Sequence, residues 1–157
     1  MVTIRELRKD DDFGAVLALC RDFFAEYETH HEEFFRLDNL TDDDISGRFI
    51  ESLDSDSSAT LIAVVDGRIV GYASLAIRPQ PRFYKIKRVG AISALMVAPE
   101  FRRQGIGGKL LEEARGYFSL HDIKYFTFFT SVANEGAIKL YERLGMTRLH
   151  LSFLGRA

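Results

Sequence analysis

Val97-Ala98-Pro99-Glu100-Phe101-Arg102-Arg103-Gln104-Gly105-Ile106-Gly107-Gly108-Lys109 leaves an apolar strand, turns through a basic, glycine-rich loop and enters an amphipathic helix. A turn of this kind points several backbone N–H groups into one concavity, with the positive end of the helix behind them. Glycine lets the backbone approach an anion with no Cβ in the way. Arg102, Arg103 and Lys109 add mobile positive charge. Glycine costs roughly 1 kcal/mol inside a helix, so Gly105, Gly107 and Gly108 crowded into one helix start call for a reason. The expectation is a site for a phosphate-bearing ligand, with a pyrophosphate the natural fit. Two familiar phosphate loops fail on these residues. A dinucleotide fingerprint needs a third glycine where Leu110 stands. A Walker loop needs Ser or Thr at that same position and a glycine at Arg103.

Working outward, Gly90 to Val97 reads as the strand feeding the turn. The helix after it runs from Gly105 to about Leu120, with Ile106, Leu110, Leu111, Ala114 and Phe118 on one side. Tyr125 to Val132 is expected to be a further strand, Glu135 to Leu144 a helix, and Arg148 to Leu154 the last strand. Upstream, Arg78-Pro79-Gln80-Pro81 breaks a strand pattern, and Thr60 to Val65 and Arg68 to Ile77 flank Asp66-Gly67. Both turn residues tolerate positive φ, which predicts a tight hairpin. A helix from Thr41 carries Asp44 at the capping-box position, with Ile45, Phe49, Ile50 and Leu53 as its apolar face. Asp54 to Ser58 ends it as a polar loop. Val2 to Leu7 is a first strand, followed by a helix whose stripe is Phe13, Val16, Leu17, Cys20, Phe24 and Tyr27. That spacing makes Cys20 a buried structural thiol. Hairpins first and strand-helix-strand units later predict an α/β (α+β) fold, a mixed sheet with helices on both faces.

The chain has 157 residues, which suits a single domain spanning 1–157. A net charge of −2 leaves no concentrated basic face for nucleic acid. One cysteine excludes a disulfide framework or a multi-thiolate zinc cluster. No signal core or membrane-length apolar run is present, so the expectation is a cytoplasmic protein with no membrane partner. Asn39-Leu40-Thr41 then reads as a helix start rather than a glycan acceptor. Adjacent His30 and His31 diverge by about 100° on a helix and have no evident third ligand, so no metal is expected.

On the turn residues the chain resembles the GNAT superfamily of acyl-CoA-dependent N-acetyltransferases. The family's Arg/Gln-x-x-Gly-x-Gly/Ala pattern is matched by Arg102, Gly105 and Gly107. Asn134-Glu135-Gly136-Ala137-Ile138-Lys139-Leu140-Tyr141-Glu142-Arg143-Leu144-Gly145-Met146 is similar to its later motif. The likeness covers about residues 89 to 154. It implies a mostly antiparallel twisted sheet whose two central parallel strands, Gly90–Val97 and Tyr125–Val132, splay apart. Acetyl-CoA would lie in the opening, its pantetheine arm on Leu95, Met96 and Val97. Arg102, Arg103, Gln104, Gly105, Ile106, Gly107 and Gly108 would serve the pyrophosphate, with Asn134 and Tyr141 also contacting the cofactor. Tyr141 would protonate the departing sulfur as general acid. A backbone N–H on the 95–97 strand would polarise the carbonyl. The resemblance is also compatible with a homodimer, though no residue here dictates one.

The general base departs from the family pattern. Where some relatives carry a Glu five residues before the motif Asn, this chain has Phe129. Where others carry an acid before the turn, Ala91-Ile92-Ser93-Ala94 offers only Ser93. Water, Ser93 or a residue of the N-terminal helices is left for the task. The stretch Glu26 to Phe35, acidic and aromatic, is a candidate acceptor wall that suits a cationic amine or is simply a solvated helix end. Arg82, Lys85, Lys87 and Arg88 read as a solvated strand edge or a site for an acidic acceptor. The expected function is N-acetyl transfer from acetyl-CoA to a primary amine of a small molecule, peptide or protein, by direct attack in a ternary complex. The competing reading is a non-catalytic acetyl-CoA sensor.

Overall fold

The structure, a computed structural model, describes residues 1–157. Its elements in chain order are β1 (Val2–Glu6), α1 (Phe13–Glu28), α2 (Asp42–Ser52), β2 (Ser58–Val65), β3 (Arg68–Pro79), β4 (Arg88–Val97), a 3-10 turn (Pro99–Phe101), α3 (Ile106–Leu120), β5 (Phe126–Phe128) and α4 (Glu135–Arg143). The five strands lie in sequence order, antiparallel except for the parallel pair β4–β5. The hairpin β2–β3 turns through Asp66 and Gly67 at φ of 48° and 76°, the left-handed pair that matches strand twist.

Alternation along the strands gives the sheet two apolar faces. Leu61, Ala63, Val70, Ala73, Leu75 and Ile92 face α3, where Ile106, Leu110, Leu111, Ala114 and Phe118 meet them. Ile62, Tyr72, Ala94 and Met96 face the other way, against Val16, Leu19, Cys20, Ile45 and Phe49 of α1 and α2. Cys20 is a buried free thiol, as its place on the α1 stripe requires. The Asp44 carboxylate accepts from both the N–H and the hydroxyl of Thr41 at 2.7 Å, closing the start of α2. No helix is long and apolar enough to cross a membrane.

Three expectations are corrected. The strand expected over Tyr125–Val132 pairs only at Phe126–Phe128, opposite Gly90, Ala91 and Ile92. Beyond that point β4 is no longer alongside, so the rest of the apolar run has no ladder to join. Arg148–Leu154 forms no strand and leaves Leu149, Leu151 and Phe153 exposed. Alternation supplies a pattern, but a strand exists only where a neighbour offers hydrogen bonds, and three-residue β5 is a short template. Ile50 is exposed, because Ile45 and Phe49 already fill the buried stripe of α2.

Candidate functional site

Three features converge at the C-terminal end of β4. The first is the turn into α3. Arg103 and Gly105 both adopt left-handed backbone, at φ of 59° and 80°. The loop is pinned from within: Arg102 Nε donates to the Val97 carbonyl at 2.8 Å, and Gln104 Nε2 donates to the Glu100 carbonyl at 3.3 Å. The Arg102 guanidinium also pairs with Glu26 of α1, a link across 76 positions of sequence. Arg102 is thus spent on holding the turn against α1. Arg103 and Lys109 make no ion pair.

The first repeating hydrogen bond of α3 runs from Lys109 N–H to the Gly105 carbonyl at 3.1 Å. The N–H groups of Arg103, Gln104, Gly105, Ile106, Gly107 and Gly108 before it have no acceptor within the protein, and Gly105 has no side chain to cap them. Consecutive free donors at a helix start form an anion cradle. They fit the phosphates of an acyl-CoA by donor chemistry alone. A Cβ on Gly107 would stand 3.4 Å from Leu140 and 3.8 Å from Leu95, so the space above this helix start is shared with β4 and α4.

The second feature is the splay of the sheet. Against β3, Ser74 pairs with Ala94 and Leu75 with Ile92, so Ser93 is the extra residue of a β-bulge. β5 accompanies β4 only as far as Ile92. From Ser93 onward Leu95, Met96 and Val97 have Ala73, Tyr72 and Gly71 on one side and no strand on the other. The bulge turns β4 away where the parallel partner ends. The Val97 carbonyl, already bonded to Arg102, has less to offer a ligand than Leu95 and Met96.

The third feature is the wall opposite. Asn134 caps α4, its Oδ1 accepting from Ala137 N–H at 3.2 Å. That leaves the side-chain amide's donor end for any other partner. Tyr141, two turns along, packs its ring 4.5 Å from that of Phe128. Burial, reinforced by nearby Tyr27, pushes the Tyr141 phenol well above its ordinary range, so it keeps its proton at neutral pH. Tyr27 projects from the last turn of α1 and faces Thr130 and Ser131, and burial raises its phenol as well. Its ring lies 4.9 Å from His30 and 5.2 Å from Phe35. Glu28 accepts Leu37 N–H at 2.6 Å, and His31 Nδ1 accepts from the N–H groups of Glu33 and Phe34. The acidic, aromatic stretch is therefore folded on itself through these contacts rather than a loose helix end.

The packing of Phe128 on Tyr141 and the Glu26–Arg102 tie were not apparent from sequence spacing. The only local signal was the concentration of acids and aromatic rings at the end of α1. Phe129 is exposed and brings no acid to the cleft.

The model of the acetyltransferase (GNAT) family matches residues 16–146. An uncharacterized N-acetyltransferase of Archaeoglobus fulgidus is 31% identical over 105 residues, 67% of this chain and 71% of that protein. Mycothiol acetyltransferase of Streptomyces griseus is 26% identical over 99% of this chain, which spans 46% of that longer protein. Among solved structures, a tetramutant of a Bacillus halodurans protein superposes with a TM-score of 0.84 at 22% identity over 99% of both chains. An aminoglycoside acetyltransferase bound to a bisubstrate analogue joining CoA to acetylneamine superposes with a TM-score of 0.73 at 21% identity, over 100% of this chain and 98% of that one.

Proposed function

Because the chain belongs to the GNAT acetyltransferase family and is an acetyl-CoA-dependent N-acetyltransferase, we propose that it passes the acetyl group to a primary amine by direct attack within a ternary complex. Residues 1–157 act as one such domain. The observation that carries the reading is the run of free N–H groups from Arg103 to Gly108, set at the mouth of a sheet that opens at Ser93.

Acetyl-CoA supplies an activated thioester. The donors of Arg103–Gly108 hold its phosphates, and Arg103 and Lys109 add charge. The opened edge of β4 at Leu95, Met96 and Val97 orients the pantetheine arm. Asn134 contributes its free amide donor from the start of α4. Tyr141 keeps a phenolic proton beside the cleft and gives it to the departing sulfur. Holding amine and thioester together supplies much of the acceleration. The bisubstrate analogue in the aminoglycoside acetyltransferase joins both substrates in one ligand, which supports simultaneous binding here.

The test is CoA-thiol release from acetyl-CoA across spermidine, lysine, glycinamide and a short peptide with a free N-terminus, with Tyr141→Phe in parallel. Release that requires one amine class and falls about a hundredfold in the variant, at unchanged acetyl-CoA affinity, is expected. Full activity in Tyr141→Phe removes that residue from the acid role.

A further inference from the structure

Resting on the acid role proposed for Tyr141, we infer that Arg115 is the residue that positions it, by tying α4 to the helix that grips the phosphates. Transfer of a proton to a leaving group depends on placement, and an error of about 1 Å can cost on the order of a hundredfold. Two helices must therefore keep a fixed relation. The start of α3 is the phosphate cradle, and α4 carries the phenol.

α4 is thinly held. None of its nine residues is fully buried. It leans on the core through partly buried Leu140 and Tyr141, with Leu144 at its C-cap. Most of its hydrogen bonds are local. Asn134 Oδ1 accepts from Ala137 N–H at 3.2 Å, and Arg148 Nε donates to Glu142 at 2.6 Å. The hydrogen bond that reaches it from another element runs from Arg115 Nη2 to the Leu144 carbonyl at 2.7 Å, across 29 positions of sequence.

That bond acts close to Tyr141. Leu144 N–H donates to the carbonyls of Leu140 and Tyr141 at 3.1 Å, and Met146 N–H donates to the Tyr141 carbonyl at 3.0 Å. Tyr141 and Leu144 thus belong to one closed turn, and a donor fixed on Leu144 sets how that turn is rotated. A cation at this end also suits the negative pole of α4.

Arg115 is itself fixed. It lies in the third turn of α3, eight residues and about 12 Å beyond Gly107. Glu112 Oε1 stands 3.5 Å from its Nε, and that nitrogen is shielded from solvent. Its Cζ lies 5.9 Å from the ring of Phe126, which is stacked on Phe118 of α3 at 5.3 Å. Phe126 and Phe128 are two apart on β5 and so share a face. Phe128 packs 4.5 Å from the Tyr141 ring. One guanidinium therefore joins α3, β5 and the end of α4 around the phenol.

Arg115→Met keeps a long apolar stem and removes the donors. With the amine of the panel above that is turned over fastest, kcat should fall about tenfold, with acetyl-CoA affinity by calorimetry unchanged. Because the loss acts through Tyr141, the double variant with Tyr141→Phe should be no slower than Tyr141→Phe alone. Arg115→Lys keeps the charge without the planar fork. It should show a smaller loss with the same dependence on Tyr141, and it carries the test if Arg115→Met does not fold. Arg148→Gln breaks the other arginine contact to α4 and should turn over as wild type. Wild-type kcat in both Arg115 variants, or a loss that adds in full to that of Tyr141→Phe, overturns the assignment. So does an equal loss in Arg148→Gln, or a loss that comes from weaker acetyl-CoA binding, since either marks a merely structural tie. A fully active Tyr141→Phe overturns the acid reading and this inference together. A slow Tyr141→Phe beside wild-type Arg115 variants overturns this one alone.

Discussion

Single residues show how far local chemistry reaches. Gly107 is legible from the chain because its spacing from Gly105 and Arg102 follows from the needs of a phosphate turn. The structure adds that a Cβ built there would stand 3.4 Å from Leu140. Gly107→Val should weaken acetyl-CoA binding at least tenfold, roughly 1.4 kcal/mol, while the circular dichroism spectrum stays that of the folded protein. Calorimetric titration reads the first and unchanged affinity refutes the cradle. Arg102 is the opposite case, since its bond to Val97 is local but its pairing with Glu26 joins distant segments. Asp11 is similar. Its carboxylate takes both Arg5 Nη atoms at 2.6 and 2.7 Å and Arg8 N–H at 2.7 Å. The Arg5 hydrogen bond holds its pKa below the ordinary 3.8. A depressed carboxylate pKa adds stability above the unfolded value and loses it as pH falls through the folded one. Asp11→Asn should therefore be less stable at pH 7, and its stability should fall less steeply below pH 3.8; urea titrations across that range measure both.

At the scale of elements, the reading succeeded where a segment is defined by its own periodicity and caps, and failed where it depends on a neighbour. Thr41 and Asp44 announced α2, and Asp66-Gly67 announced the β2–β3 hairpin, because caps and tight turns are local contacts. The extent of β5 was not local. Its three paired residues are set by the Ser93 bulge on another strand. The same junction contains a test of packing. A Cβ on Gly90 would lie 2.5 to 2.8 Å from the Phe118 ring. That ring is stacked on Phe126 at 5.3 Å and met edge-on by Tyr117 at 5.7 Å, so it has little room to retreat. Gly90→Ala should cost about 1–3 kcal/mol by overpacking, seen as a lower urea midpoint. A neutral substitution would mean that the β4–α3 contact is looser than this geometry.

For the whole molecule, the candidate site belongs to no single element. β4 and α3 supply the turn, α4 and its cap supply Tyr141 and Asn134, and α1 supplies the Glu26 tie. A ligand bridging these parts stabilises only the folded arrangement. Acetyl-CoA at a hundred times its Kd should add about 2.7 kcal/mol, which differential scanning fluorimetry would register as a rise in Tm of about 5–11 °C. An unchanged Tm under saturating acetyl-CoA would contradict the bridged site. The amino-acid order alone determined the helices, the hairpin, the mixed sheet and the glycine turn, because periodicity, capping and backbone freedom act over a few residues. It also carried the family likeness through Arg102, Gly105, Gly107, Asn134 and Tyr141. Only the tertiary structure decided where β5 stops, which carboxylates are already paired, and that Phe128 packs against Tyr141. Those facts depend on segments far apart in the chain, and the cost and geometry of bringing them together are set by packing rather than by any local pattern.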